Sequence, residues 1–189
     1  MALALKHPEA VSGLILVSGY YYPTARTDVV LVSGPAVPVV GDLMSHTLSP
    51  IIARLIWPLL MRKIFGPAAV PDKFNGFPKE MAVRPSQVRA SAAESALMIP
   101  SAFVLRGEYR NLKVPLIIIA GEEDRLINID KQSARLHQEI ERSTFRRIAG
   151  AGHMVHQTAT AQVMSAIDEL ATLTGEDRLS RKMPRAVPG

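Results

Sequence analysis

The chain has 189 residues, of which 48% are hydrophobic and 21% charged, the balance of one ordinary globular domain. It contains no cysteine, which excludes a disulfide framework, a thiolate zinc site and a cysteine nucleophile and is consistent with a reducing, cytoplasmic setting. The net charge is +5, and part of that charge lies in the tail of residues 175–189, whose few apolar side chains favour a disordered, solvated segment over a nucleic-acid-binding one.

The N-terminal segment ALALKHPEAV predicts the last turns of a helix, followed at once by a short buried strand at residues 13–19. No Ser, Thr, Asp or Asn stands before the helix as a cap, so we expect this helix to be cut from a longer one. Lys6 and His7 interrupt the apolar residues and no basic region precedes them, so we do not expect this segment to be a signal peptide. No apolar run approaches the ~20 residues of a membrane span, and we expect no stable membrane insertion.

Residues 24–112 lack strand alternation and contain many prolines, which predicts an inserted layer of short helices. The candidate helices span residues 43–49, 50–65, 79–83, 87–98 and 101–111. The most apolar stretch is SPIIARLIWPLLMRKIFG, residues 49–66, which Pro58 should kink or divide. This stretch has three interpretations: it lines a pocket for an apolar substrate, it packs on the sheet, or it touches a membrane surface through its basic residues.

The pattern changes at VPLIIIAG, residues 114–121, an apolar β-branched run typical of a parallel strand that is covered on both faces. Ile129, Ser133, Leu136 and Ile140 then recur at helical spacing, and a further strand follows at residues 143–150. A last helix should end at Gly175. The alternation of strands and helices predicts an α/β domain with a parallel sheet, interrupted by the helical insertion.

Two ionisable side chains follow consecutive strands of this sheet. Asp124 lies four residues past the IIIA run, and His153 lies four residues past FRRIA. Parallel neighbouring strands end at one edge of a sheet, where catalytic groups collect, so we expect the two side chains to meet. A carboxylate beside an imidazole fixes its tautomer and stabilises the imidazolium, which makes His153 a candidate general base and Asp124 its orienting acid.

Other interpretations of these residues stay open. A single histidine in a loop is often a surface residue, and an aspartate after a strand is often a helix cap. Glu122 and Glu123 are rival carboxylates, although both stand closer to the strand. His153 and His156 have the spacing of an H-x-x-H metal pair, but no third ligand is evident, so we predict no metal and no cofactor. We expect His156 and Gln157 to face solvent or to line the mouth of the site.

Three segments resemble the α/β-hydrolases. ALALKHPEAVSGLILVSGYYYP resembles the helix and strand that follow the nucleophile turn, VPLIIIAGEEDRL the acid-bearing strand and turn, and FRRIAGAGHMVHQ the catalytic-histidine loop. The intervening helices resemble the lid. The resemblance implies that Asp124 is the triad acid and His153 the base, in the family's chain order. It implies a partial α/β-hydrolase fold, with a short parallel sheet of about three strands, flanking helices and an inserted helical lid.

The resemblance divides the chain into four parts: the helix and first strand of the core at 1–23, the lid at 24–112, the remaining core with Asp124 and His153 at 113–174, and the tail at 175–189. The family's nucleophile belongs in a G-x-S-x-G turn before the first helix, and no such turn occurs in the 189 residues. Ser18 and Ser33 both lack the first glycine, and no G-x-D-x-G turn is present. We therefore expect the nucleophile to lie upstream of Met1 and this chain alone to be inactive.

These observations support two hypotheses. In the first, the chain is the C-terminal part of an esterase-like hydrolase of a small apolar or acyl substrate that uses a Ser-Asp-His triad. An epoxide hydrolase or haloalkane dehalogenase relative with an aspartate nucleophile is the nearest variant. In the second, the chain is a non-catalytic remnant or interaction protein that keeps the fold. In both, the strand at residues 13–19 has an exposed edge, which predicts low stability and self-association.

Overall fold

The computed structural model describes residues 1–24 and 40–182. Residues 25–39, which include Ser33 and the first part of the expected lid, lie outside the described residues. The same is true of residues 183–189 of the expected tail. The ranges given below therefore refer to the rest of the chain.

The core is a parallel sheet of three strands in the order β1-β2-β3. These strands are β1 (Leu14–Val17), β2 (Leu116–Gly121) and β3 (Ser143–Ile148). Leu14 pairs with Leu116, and Leu116 pairs with Ser143, so all three strands begin at the same edge of the sheet. The short parallel sheet that the sequence predicts is confirmed, with each strand one or two residues shorter at its ends.

The central strand β2 is buried along its whole length because helices cover both faces of the sheet. Ile118 packs on one face in a cluster with Tyr22, Tyr109 and Leu136. The neighbouring isoleucines of β2 point to the opposite face. There they pack against small and branched side chains of the loop after β3 and of the C-terminal helical segment: Ala151, Val155, Ala159, Ala166 and Leu170. The alternation of side chains along a strand thus divides the core into two clusters.

The first cluster lies under two short helices, α1 (Ala2–Lys6) and a helix after β2 that begins irregularly. The first turn of this helix, Asp130–Ala134, is π-helical. The α-helical part that follows spans Arg135–Glu139 and is numbered α6 by its place in the chain. The expected inward residues Ser133, Leu136 and Ile140 are all buried. The π-helical turn also buries Gln132, whose burial the helical spacing did not predict.

The second cluster lies under α7 (Val155–Thr158) and α8 (Thr160–Lys182). We expected the last helix to end at Gly175 and a disordered tail to begin there, and this is wrong as far as Lys182. Residues 176–182 include Glu, Arg, Leu and Lys, which are strong helix formers. A single glycine costs a helix only ~1 kcal/mol, so Gly175 does not end it.

The insertion, which is the expected lid, contains the helices α2 (Val40–His46), α3 (Leu48–Phe65), α4 (Lys79–Ala82) and α5 (Pro85–Leu105). Pro58 does not divide α3, and Pro100 lies inside α5, so the two helices expected at 87–98 and 101–111 are largely one. A proline frees the carbonyl group four residues earlier, here that of Arg54 or Ala96. Both of these residues are exposed, so water can hydrate the freed carbonyl and the helix continues.

Helix α3 has an inner and an outer face. Pro50 and Phe65 are buried, and Trp57 stacks on Phe77 at 5.7 Å between ring centroids. The outer face is apolar as well, because large side chains at helical spacing are 44–74% exposed. These residues, which we call the α3 stripe, are Leu48, Ile51, Ile52, Leu55, Ile56 and Leu59. An exposed apolar patch of this kind is typical of a surface that contacts a ligand, a membrane or another protein.

Among the described residues, one helix is long and apolar enough to cross a membrane by length and composition. This helix is α5, with a mean hydropathy of 1.2 over its best window, of which 11% is buried. The apolar pattern of the sequence predicts no such segment. The helix also contains Arg89, Glu94 and several serines, so length and composition are the only grounds for a span.

Candidate functional site

Asp124 lies in the turn that follows β2, and three hydrogen bonds fix its carboxylate. Its Oδ1 accepts hydrogen bonds from the backbone N–H groups of Leu126 and Ile127, at 2.8 and 2.9 Å. Aspartate favours such turns because its short side chain reaches the backbone two or three residues ahead. Only 2% of the side chain is exposed, so the carboxylate cannot rotate freely, and its second oxygen points away from the turn.

His153 lies in the loop that follows β3, and backbone contacts hold this loop against the acid-bearing turn. The N–H of Glu123 donates to the carbonyl oxygen of Ala151 at 3.0 Å. Gly150 adopts a φ of +71°, a conformation that favours glycine and lets the chain turn sharply after the strand. A side chain at Gly121 would collide with the carbonyl oxygens of Ala151 and Gly152, so only glycine permits this approach.

The two loops bring the predicted pair together. Nδ1 of His153 lies 2.8 Å from Oδ2 of Asp124. An ionised carboxylate only accepts hydrogen bonds, so Nδ1 is the donor, and in the neutral ring Nε2 is left with a free lone pair. The imidazole is 26% exposed, against 2% for the carboxylate, so the ring is partly open to solvent while its partner is not. This arrangement suits a general base that is oriented by a buried acid.

The other candidates do not join this pair. Glu122 and Glu123 are exposed, and His156 is exposed on α7, while Gln157 is half-buried beside it. Within residues 1–24 and 40–182, no group of three or more His, Cys, Asp or Glu side chains could hold a metal ion. The H-x-x-H spacing therefore has no third ligand in this part of the chain.

Ser18 lies at the carboxyl end of β1, the same edge of the sheet as the pair. It adopts a φ of 47°, unusual for a residue other than glycine, and its N–H donates to Ile119. Its hydroxyl is buried and has no hydrogen-bond partner among the described residues. A nucleophile must contact both its base and the substrate, so Ser18 does not fill that position.

Sequence reasoning missed Gln132, which links this edge of the sheet to the residues that follow β1. Its side chain is 1% exposed and forms hydrogen bonds with the backbone of Tyr21 and Tyr22. Tyr109 adds another bond, from its hydroxyl to the carbonyl oxygen of Tyr21 at 2.7 Å. The hydrophobic pattern gave no signal for Gln132, because it counts apolar residues and this inward position, four residues before Leu136, carries a polar side chain.

Comparison with known proteins identifies the fold family. A family model described as the alpha/beta hydrolase fold matches residues 1–160. A search of curated proteins found no match. Among solved structures, a thermophilic esterase from Thermogutta terrifontis with malate bound is similar, at 21% identity and a TM-score of 0.63. The match covers 92% of this chain and 60% of the esterase.

Two further structures have the same overall likeness. The enol-lactonase from Burkholderia xenovorans LB400 is 17% identical, with a TM-score of 0.63 and coverage of 90% of this chain and 60% of that one. MenH from S. aureus is also 17% identical, with a TM-score of 0.63 and coverage of 87% and 60%. The chain thus spans about 60% of the length of these structures. Since the family model covers most of its residues, the chain belongs to the α/β-hydrolase fold family.

Proposed function

We propose that this chain is the acid- and base-bearing part of an α/β-hydrolase that cleaves esters of small apolar or acyl groups. The observation that carries the proposal is the hydrogen bond between His153 and the buried Asp124 at the carboxyl edge of the sheet. In this role Nε2 of His153 takes the proton of a nucleophile and later returns it to the leaving group. The Asp124 carboxylate stabilises the imidazolium formed between these two steps.

The nucleophile in this proposal is a serine contributed from outside the 189 residues. The sequence contains no G-x-S-x-G turn, and the chain spans about 60% of its structural neighbours. Strand β1 is the edge beside which such a turn would have to lie, since among the described residues it pairs with β2 alone. A serine at that edge would approach the lone pair of His153 Nε2.

The substrate class in the proposal comes from the α3 stripe. Its side chains are large, apolar and exposed, and the stripe itself contains no charged residue. The C-terminal end of α3 at Gly66 contacts the loop before His153, so the helix ends at the site and the stripe extends away from it towards Leu48. An acyl chain bound along this stripe would bury apolar area, which stabilises binding by about 25 cal/mol per Å².

The test compares the chain of 189 residues with the gene product that includes the reading frame upstream of Met1. Both are assayed on p-nitrophenyl butyrate and with a phosphonate probe that labels activated serines. We expect an in-frame G-x-S-x-G turn upstream, labelling of its serine, and turnover that His153→Ala abolishes. The chain alone should show no turnover above that of its own His153→Ala variant.

Other results would overturn the proposal. His153-dependent turnover by the chain alone would mean that its site is complete. Stop codons upstream, or an extended protein whose turnover is unaffected by His153→Ala, would favour the non-catalytic interpretation. An aspartate at the centre of the upstream turn would replace the serine mechanism with that of the epoxide- or haloalkane-cleaving relatives. Glu94→Ala, an exposed change in α5, is the matched control, because it should leave both the folding and the turnover of the extended protein unchanged.

A further inference from the structure

The C-terminal end of the lid helix α3 lies directly against the histidine loop. The contact is between backbones: a side chain at Gly152 would collide with the carbonyl oxygen of Gly66, and it would also approach the carbonyl oxygen of Phe65 at 3.3 Å. Gly152 is buried and stands immediately before His153. A carbonyl group cannot move aside as the tip of a flexible side chain can, so the position of Gly66 limits the position of this loop.

Gly66 also contacts the turn that carries the acid. A side chain built on Gly66 would lie 2.6 Å from Nη1 of Arg125, and Arg125 follows Asp124 in the chain. The end of α3 therefore touches the loops of both members of the pair. On the inner side, Gly121 approaches the carbonyl oxygens of the histidine loop, so that loop is enclosed between the end of β2 and the end of α3.

The lid holds its side of this contact through aromatic packing. Phe65 is 1% exposed, and its ring lies 4.7 Å from that of Phe74, centroid to centroid. Phe74 in turn lies 6.2 Å from Phe77, which stacks on Trp57 in the middle of α3. Helix α3 and the segment that follows it thus share a small core, and a displacement of this core moves Gly66.

We propose that Gly66 and Gly152 are positioning residues through which lid helix α3 sets the alignment of His153 with Asp124. The inference rests on the proposed function, because it takes His153 and Asp124 as the working pair. Neither glycine contacts substrate. They affect the position of the His153 imidazole relative to Asp124. An event that moves the α3 stripe, such as binding of an apolar substrate, therefore changes the geometry of the base at the other end of the helix.

The test uses nuclear magnetic resonance on the purified chain with ¹⁵N-labelled histidine. The downfield Nδ1 proton of His153 and its ring ¹⁵N shifts report the hydrogen bond to Asp124 and the tautomer, and His153→Gln assigns them. The variants are Gly152→Ala at the contact and Phe74→Leu in the lid core. The control is Gly76→Ala in the same lid segment, where an added methyl group would meet nothing within 4 Å.

We expect Gly152→Ala to remove or shift the His153 signals, Phe74→Leu to shift them by less, and Gly76→Ala to leave them unchanged. Unchanged signals in a folded Gly152→Ala protein would overturn the inference, and so would unchanged signals in Phe74→Leu. If Gly152→Ala does not fold, Phe74→Leu decides the question, because it replaces a half-buried ring with a smaller apolar side chain and should leave the protein folded. Asp124→Asn separates the two proposals: if it leaves the Nδ1 proton unchanged, the pair itself and the proposed function fail.

Discussion

The side-chain amide of Gln132 forms two hydrogen bonds with the backbone of Tyr22. Its Nε2 donates to the carbonyl oxygen and its Oε1 accepts from the N–H, each at 2.8 Å. Oε1 also accepts from the N–H of Tyr21 at 2.6 Å. One buried side chain thus satisfies three backbone groups where the chain leaves β1 and has no strand partner to satisfy them.

Gln132→Leu should therefore be among the most destabilising single changes in the core. The substitution leaves three buried backbone groups without partners, each costing about 1–3 kcal/mol, so we expect a loss of at least about 3 kcal/mol. Urea denaturation followed by circular dichroism measures it. Gln138→Leu, an exposed change in α6, should stay within about 0.5 kcal/mol. Equal midpoints for the two variants would contradict this assignment.

Three buried tyrosines should make the stability fall in alkaline solution. Burial raises the pKa of Tyr109 to about 12 and raises the pKa values of Tyr21 and Tyr22 beyond the usual range. In the unfolded chain these phenols titrate near pH ~10, so above that pH the unfolded state loses protons first. Stability should hold below about pH 10 and fall as the pH rises towards about 12.

Urea midpoints at about pH 8.5 and pH 11 measure this effect. Tyr109→Phe should lower the free energy of unfolding at the lower pH by about 1 kcal/mol, because it removes the hydrogen bond to Tyr21. It should also make the alkaline decline in the midpoint shallower. A decline of the same steepness in wild type and variant would show that Tyr109 does not contribute to it.

Asp124→Asn should leave the fold intact and reverse the tautomer of His153. Oδ1 accepts two backbone N–H bonds, so the amide oxygen must stay there and the amide NH₂ must face Nδ1. Nδ1 then accepts, the proton moves to Nε2, and the base has no lone pair for a nucleophile. Ring ¹⁵N shifts measure the tautomer in the chain, and in the extended protein kcat should drop about 10⁴-fold, the loss seen when a serine protease triad is changed in this way.

Self-association through the edge of β1 is the fourth prediction. The backbone N–H groups of Leu14 and Ser18 donate to the carbonyl oxygens of Pro115 and Ile119, on the side of β2. By alternation, the N–H groups of Ile15 and Val17 point to the opposite edge, which pairs with no strand among the described residues. Ile15→Pro removes an outward N–H group without removing a bond to β2, and should shift the protein towards monomer.

Sedimentation velocity over a concentration series measures that shift. Leu16→Pro is the matched control, because it removes an N–H group that faces β2 and should lower stability instead. The edge does not drive association if wild type and Ile15→Pro sediment alike at every concentration.

The sequence was sufficient to place Asp124 and His153 together, because neighbouring parallel strands end at one edge and each residue lies just past its strand. It did not predict the contact between Gly66 and Gly152, since residues far apart in the chain with no side chains leave no periodic signal. Pro100 misled the helix assignment for a different reason. The proline removes one hydrogen bond of the helix, and water can hydrate the carbonyl group that is left free because this part of α5 is exposed.

The π-helical turn at Asp130–Ala134 gives this segment one more residue than a regular α-helix over the same path would need. Deleting a residue there would convert the turn to α-helix without breaking the chain. The positions before the deletion would then rotate by about 100° relative to those after it, so Gln132 would leave the interior while Leu136 kept its place. The additional residue therefore keeps Gln132 in contact with the backbone of Tyr21 and Tyr22, so a deletion in this turn would break contacts about 110 residues away in the chain.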